Sequence, residues 1–303
     1  MSTSATGEPG RTRPTGPTAP SAGPAGLAGP AGPTGPGDLA DEIAGLLEIA
    51  LEAARRAGAL LRDGRPADLG VAATKSSPID VVTEMDIAAE KLITSYIGRL
   101  RPDDGFLGEE GASSEGTSGV RWVIDPLDGT VNYLYGLPSW AVSIAAERDG
   151  EAVVGVVEAP MRGETYQAAL GGGAFVNGHP ARCRPPVDFS HALVGTGFGY
   201  VAARRASQAE VVRTLVPRFR DIRRGGSAAI DLCDVGCGRL DAYYERGLNP
   251  WDLAAGALFA REAGALTGGR PGERASGELL VAAPPGLFEP LQALLEELGA
   301  WHD

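Results

Sequence analysis

The chain has 303 residues, 43% of them apolar and 22% charged, the composition of a soluble globular protein long enough for one large domain or two smaller ones. A net charge of −12 argues against nucleic-acid binding, which needs a basic footprint. No apolar run approaches the roughly 20 residues of a membrane span, and Cys183, Cys233 and Cys237, without a Cys-x-x-Cys pair, argue against a disulfide framework or a structural zinc site.

Residues 1–37 differ from the rest. Nearly half are Gly or Pro and few are large and apolar, so the segment cannot bury enough surface to offset its ordering entropy and reads as a disordered tail. No signal-peptide core follows the start, and the expected compartment is cytoplasmic. Order is expected from Asp38. Leu39, Ile43, Leu46, Leu47, Ala50, Ala54, Ala57 and Leu61 recur at helical spacing and predict a helix over 39–63, with Gly64 as its stop. The loop Lys75-Ser-Ser-Pro-Ile-Asp80 leads to a short strand at 80–83, and a second helix over 84–100 ends before Pro102. Phe106–Gly108 reads as a strand running into Glu109 and Glu110, and Trp122–Ile124 as the end of a buried strand. Strand-like runs follow at 140–147, 151–159, 164–170 and 174–176.

The second half alternates strand and helix. Strands are predicted at 192–196, 220–223, 242–245 and 279–283, and helices at 205–219, 227–238, 252–263 and 286–298. Strand-rich first half and alternating second half predict layered α and β, with two linked subdomains at 38–185 and 186–303. Neither an internal repeat nor a P-loop occurs, and Gly171–Gly173 lacks the spacing of a dinucleotide fingerprint.

Acids stand at the edges of these apolar elements: Asp86, Glu109, the pair Asp125 and Asp128, and Asp252. Asp125-Pro-Leu-Asp128-Gly-Thr130 is open to two readings. It is either a surface turn or a compact supplier of oxygen ligands to magnesium, which keeps several waters and needs few protein oxygens. In the second reading the Leu127 carbonyl turns inward, and Gly129 and Thr130 lead into a short helix-like stretch whose N–H groups could face phosphate. Asp252 is equally a helix N-cap or a ligand, and Glu109-Glu110 a solvated strand end or a ligand. His179, His191 and His302 have no Ser or Cys nucleophile motif beside them, so a catalytic triad is not expected.

Taken together, these segments resemble the inositol monophosphatase family of magnesium-dependent, lithium-sensitive phosphatases. The resemblance covers almost everything from about 40 to 298. It rests on Lys75-Ser-Ser-Pro-Ile-Asp-Val-Val-Thr-Glu-Met-Asp86, Gly108-Glu-Glu110 and Trp122-Val-Ile-Asp-Pro-Leu-Asp-Gly-Thr130 with Asn132. It continues through Gly226-Ser-Ala-Ala229, Asp241-Ala-Tyr-Tyr-Glu245 and Trp251-Asp-Leu-Ala-Ala-Gly256 to Glu262-Ala-Gly264, all in family order. Val131, where Thr or Ser is commoner, and Asn249-Pro250 before the Trp are small departures.

The resemblance implies a five-layered αβαβα sandwich, a homodimer, and two to three Mg2+ ions. By position, one ion would take Glu109, Asp125 and the Leu127 carbonyl; a second would take Asp125, Asp128 and Asp252; a third would rest on Glu109, with Lys75 nearby. Asp86 and Thr130 would orient the attacking water, with the Gly129 and Thr130 amides on the phosphate. A metal-activated water suits a site without a histidine base. Ser227, Ala228 and Glu245 occupy the substrate-lining places. They look most like the inositol branch, so myo-inositol monophosphate is the expected small phosphate ester. Histidinol phosphate and sugar phosphates such as fructose 1,6-bisphosphate are the alternatives.

Overall fold

The computed structural model describes residues 36–75 and 81–301. The predicted tail up to residue 35, positions 76–80 of the loop after Lys75, and His302 lie outside the described residues. The elements in the first half are α1 (Pro36–Asp63), β1 (Ala73–Thr74), β2 (Val81–Val82), α2 (Glu84–Leu100), β3 (Gly105–Gly108), β4 (Ser113–Ser114), β5 (Val120–Asp128), α3 (Thr130–Leu134), β6 (Ala141–Arg148), β7 (Glu151–Ala159), β8 (Glu164–Ala169), β9 (Gly173–Val176) and β10 (His179–Pro180). A single 3-10 turn, Phe189–His191, precedes β11 (Leu193–Thr196), α4 (Ala202–Leu215), β12 (Asp221–Arg223), α5 (Ala228–Gly236), β13 (Ala242–Glu245), α6 (Pro250–Glu262), β14 (Leu266–Gly268), β15 (Leu280–Ala283) and α7 (Phe288–Glu297).

Two larger sheets organise these elements. One has eight strands in the order β10-β9-β8-β7-β6-β5-β3-β4, and the other five in the order β12-β11-β13-β15-β14. The large sheet is antiparallel except where β3 lies parallel to β5. Alternation along its strands sends Trp122, Ile124, Val142 and Ile144 to one face, against Leu46, Ala54 and Leu61 of α1 and Ile93 of α2. Val123, Ala141 and Ala145 go to the other face, against Ile230 and Cys233 of α5 and Ala255, Leu258 and Phe259 of α6. The same two helices bury Leu232, Val235, Ala257 and Ala260 against Tyr243, Leu280 and Ala282 of the small sheet. The far face of that sheet carries Val211 and Leu215 of α4 and Leu291 and Leu295 of α7. The result is helix, sheet, helix, sheet, helix, as the resemblance implied. Among the described residues no helix is long and apolar enough to cross a membrane.

The middle layer explains why α6 is so rich in small residues. Ala254, Ala255, Gly256, Ala257 and Ala260 are buried on both sides, the condition of a helix enclosed between sheets. Backbones meet there without side chains between them: a Cβ on Gly155 of β7 would lie 2.7 Å from the Ala255 carbonyl oxygen.

Most predicted elements are present, with boundary differences that have local causes. Helix α1 begins at Pro36, two residues inside the predicted tail, and α6 begins at Pro250 rather than 252; proline is well placed in a first helical turn, where its missing N–H has no partner to lose. Helix α4 covers 202–215 rather than 205–219, because Pro217 cannot continue it. Phe219, assigned to that helix, instead packs beside Phe189 with ring centroids 5.6 Å apart. The strands without a sequence prediction, β1, β4, β10 and β14, have only two or three residues each, too few to show a period.

Gly155→Ala is expected to destabilise the protein by about 1–3 kcal/mol, since the obstructing atoms are backbone and cannot rotate away. A urea midpoint equal to that of the parent would show that α6 shifts freely over the sheet.

Candidate active site

Strand β5 carries the opening motif to the rim of the large sheet. Asp125 pairs with Ser143 of β6 but Asp128 with Ala141, so the ladder shifts across Pro126-Leu127. Proline has no N–H to give the ladder, and the irregularity turns the chain out of the sheet. The Leu127 N–H donates to Asp125 Oδ1 at 2.9 Å, fixing the carboxyl over the turn. Gly129 has φ of +95°, and a Cβ there would lie 2.9 Å from the Ser139 carbonyl oxygen and 3.1 Å from that of Gly226. Both the left-handed backbone and the close approach require glycine. The Asn132 amide donates to the carbonyls of Ser139 at 2.6 Å and Gly225 at 3.0 Å, tying this turn to the segment that opens α5.

Three helix starts face the same region. Asp86 is the third residue of α2 and closes a capping box with Thr83, accepting from the Thr83 N–H at 2.9 Å. Its other oxygen accepts from the Thr130 hydroxyl at 2.9 Å; that hydroxyl also lies 3.0 Å from the Leu127 carbonyl oxygen. Burial pushes the Asp86 carboxyl up to about 6, against the lowering hydrogen bonds of Thr83 and Thr130. Asp252 takes the matching place in α6, accepting from the Asn249 N–H at 2.6 Å. The Ser143 hydroxyl donates to the Trp251 carbonyl at 3.2 Å, so the residue opposite Asp125 also holds the start of α6. At α5, Ser227 is the N-cap, and its buried hydroxyl donates to Asp128 Oδ2 at 2.6 Å, beside the Ala229 N–H at 2.7 Å. Ala228 is buried in the first turn of α5.

Glu109 reaches the site because β3 runs parallel to β5, pairing Gly108 with Ile124, and the Glu109 N–H donates to the Ile124 carbonyl at 3.2 Å. Lys75 Nζ lies 2.7 Å from Glu109 and 2.5 Å from Glu110. The loop beyond is shaped by a residue the sequence reading did not single out. Glu90 of α2 is buried and accepts from the N–H groups of Glu110 at 2.8 Å and Ala112 at 2.9 Å. In sequence it reads as an ordinary charge on a helix. A clue to its burial is Gly108, where a Cβ would lie 2.2 Å from the Glu90 carboxylate.

Asp125 is 1% exposed, with Glu109, Asp128 and Asp252 half-buried around it. Its carboxyl is pushed well up by burial and then by the charges of Glu109, Asp128 and Asp252. Glu109 is raised by burial, against the lowering charge of Lys75 and a hydrogen bond shared with Asp125. Asp128 is pushed up to about 6 by burial, against Ser227 and Ala229. Asp252 is raised by burial and by Asp128. Among the described residues no three His, Cys, Asp or Glu close into a ready-made metal cage. Asp128 and Asp252 each turn an oxygen toward a helix-start N–H group. The donor set nevertheless fits a hard divalent cation: the gathered side chains all offer oxygen, which magnesium prefers, and their carboxyls are raised chiefly by burial, a cost to the charged form that such an ion would offset.

Glu245, at the end of β13, accepts from the Tyr243 hydroxyl. Burial pushes it up to about 7, against the lowering influence of Tyr243 and Arg224 and with the raising charge of Asp128. Its carboxyl fills the space that a Cβ on Gly197 would need. His179 and His191 are exposed, on β10 and in the 3-10 turn.

The sequence profile described as Inositol monophosphatase family matches residues 42–299. An inositol-1-monophosphatase of Mycobacterium bovis is 44% identical over 276 residues, 84% of this chain and 95% of that protein. A protein named Nus factor SuhB from Escherichia coli K12 is 42% identical over 223 residues, 73% of this chain and 84% of its own length. The solved structure of Mycobacterium tuberculosis SuhB superposes with a TM-score of 0.73 at 43% identity, covering 86% of this chain and 98% of that one.

Glu90→Gln should cost about 1–3 kcal/mol in unfolding free energy, because its amide NH2 would face one of the two N–H groups and leave it unsatisfied. An unchanged denaturation midpoint would mean that the loop does not depend on Glu90. A pH dependence also follows. Asp86, Asp128 and Glu245 hold their protons to about 6, 6 and 7 in the folded state, above the roughly 4 of an unfolded carboxyl. Their stabilising contribution is complete below the unfolded value and lost as pH rises through the folded ones. In EDTA, Tm should therefore fall between pH 5 and pH 8; a rise over that range contradicts the assignment.

Proposed function

This chain belongs to the inositol monophosphatase family, and on that premise we propose that it is a magnesium-dependent phosphomonoesterase that converts myo-inositol monophosphate and water to inositol and phosphate. The observation that carries this reading is the convergence of Glu109, Asp125, Asp128 and Asp252 at the end of one strand, each with its carboxyl raised. Those four side chains and the Leu127 carbonyl would hold the metal. Bound there, magnesium supplies positive charge to the phosphate oxygens and the leaving alkoxide and makes hydroxide accessible near neutral pH.

The remaining roles fall to the chain itself. Thr130, held by Asp86 at 2.9 Å, orients the attacking water, and Asp86, at about 6, is ionised near neutrality and can draw the proton through that hydroxyl. The Gly129 and Thr130 amides donate to the phosphate. Ser227 keeps Asp128 facing the site, and Ala228 stands beside it. Glu245 accepts hydrogen bonds from the alcohol's hydroxyls; a substrate without them would leave that carboxylate unsatisfied, a strong discriminator. In this reading residues 38–185 carry the hydrolytic chemistry, and 186–303 complete the site with Ser227, Glu245 and Asp252.

The relatives named Nus factor SuhB favour weighing a second role, binding without turnover. One variant separates the two. Asp125→Asn should reduce magnesium-dependent phosphate release by at least a thousandfold, because it disturbs the acid shared by the whole cluster, whereas a binding role should survive it. The substrate is tested by kcat/KM over inositol, histidinol and sugar phosphates, each with and without magnesium. A clear preference for histidinol phosphate would replace the inositol assignment, and turnover undiminished by EDTA would remove the metal.

A further inference from the structure

Glu109 stands just past the end of β3, outside any helix or strand, yet the peptide units on either side of it are tied down. Its own N–H donates at 3.2 Å to the carbonyl of Ile124, the residue before Asp125. The next N–H, that of Glu110, donates to Glu90 Oε2 at 2.8 Å. The Ala112 N–H donates to Oε1 of the same carboxylate at 2.9 Å. The turn between them passes through Gly111 at φ of +113° and is closed by the Gly108 N–H, 2.6 Å from the Ala112 carbonyl oxygen. The root of the Glu109 side chain is therefore fixed from two directions, by β5 and by α2.

A buried acid is a costly way to fill space, and Glu90 is only 6% exposed, under a loop that carries two more acids. What a carboxylate supplies, and no neutral side chain does, is two acceptor oxygens with no donor, one for each inward-facing N–H. The fit is close: a Cβ on Gly108 would lie 2.2 Å from Glu90 Oε2 and 2.7 Å from its Cδ, so the loop backbone rests directly on the carboxylate. Glu90 also stands four residues after Asp86 on α2, a spacing that makes the two side chains neighbours on one helix face. Asp86 there accepts from the Thr130 hydroxyl at 2.9 Å. One turn of α2 thus holds both the hydroxyl that orients the attacking water and the loop that delivers Glu109.

We propose that Glu90 is a positioning residue for the metal centre: by holding the Glu110 and Ala112 N–H groups it sets Glu109 toward Asp125, and so governs how tightly the cluster binds magnesium. The inference rests on the metal-dependent reading above and adds to it a residue outside the ligand set. Binding of magnesium chloride is measured by titration calorimetry on metal-free protein without substrate. The proteins compared are the parent, Glu90→Gln, Glu90→Asp and Ile97→Val, the last a truncation in the buried core of the same helix. Glu90→Gln has one acceptor oxygen for two N–H groups. Its Kd for magnesium should rise about 10- to 100-fold, the range for partners that orient metal ligands. The magnesium concentration that half-saturates phosphate release should rise in parallel, with a much smaller change in kcat at saturating magnesium. Glu90→Asp keeps the charge but is one methylene shorter, and should lose affinity as well. Ile97→Val should bind magnesium as the parent does. Parent affinity in Glu90→Gln would overturn the proposal. So would parent affinity in Glu90→Asp, which would make the effect one of charge alone, and an equal loss in Ile97→Val, which would make it one of stability. A parent that binds no magnesium would overturn the metal reading itself, and this inference with it.

Discussion

Asp125 lies buried at the end of β5 with three other carboxyl groups near enough to raise it. Crowded acids repel, and desolvation adds to the cost of keeping them charged. The surrounding structure is arranged to hold them there regardless. Asp86 accepts from the Thr83 N–H, Asp128 from Ala229 and Asp252 from Asn249. These donors open α2, α5 and α6 in turn, where unpaired N–H groups and the positive end of the helix dipole favour negative charge. Glu109 has no helix behind it; its loop is braced by the Glu90 carboxylate, and its own carboxylate meets the Lys75 ammonium.

The layered architecture allows these helix starts to meet. The large sheet separates α1 and α2 from α5 and α6, and β5 contributes Trp122 and Ile124 to one side and Val123 to the other. Acids anchored on opposite faces can come together only where the intervening strand ends. The irregularity at Pro126-Leu127 and the left-handed Gly129 bring β5 to that end and release Asp128 and Thr130 toward the two faces. The small residues of α6 serve the same purpose at a distance, because only a close backbone approach to β7 sets the start of that helix beside Ser143 and Asp125.

Capping and candidate chemistry turned out not to compete. Asp252 was open to both readings; the N-cap of α6 is Asn249, three residues earlier than expected because Pro250 opens the helix, and Asp252 closes the capping box from the third helical position while its charge couples to Asp128 and Glu109. Asp86 has the same double position at α2. A carboxylate held by its own helix start keeps its orientation whether or not a cation is present, so each cap also preorganises the site.

The residue pattern by itself determined the elements with a clear period, α1, α2 and the long strands β6–β8, and the segments on which the family resemblance rests; of β5 it showed only Trp122–Ile124, whereas the strand runs on to Asp128. It also marked Asp86, Glu109, Asp125, Asp128 and Asp252 as acids at the edges of apolar elements, because an acid beside a buried run stands out locally. It could not show that they converge, since Asp86 and Asp252 are more than 160 positions apart and sequence spacing carries no distance between separate layers. Nor did it separate Glu90 from an ordinary surface acid. Burial, partnership and the direction in which a side chain points belong to the packed layers, and only the tertiary structure decided them.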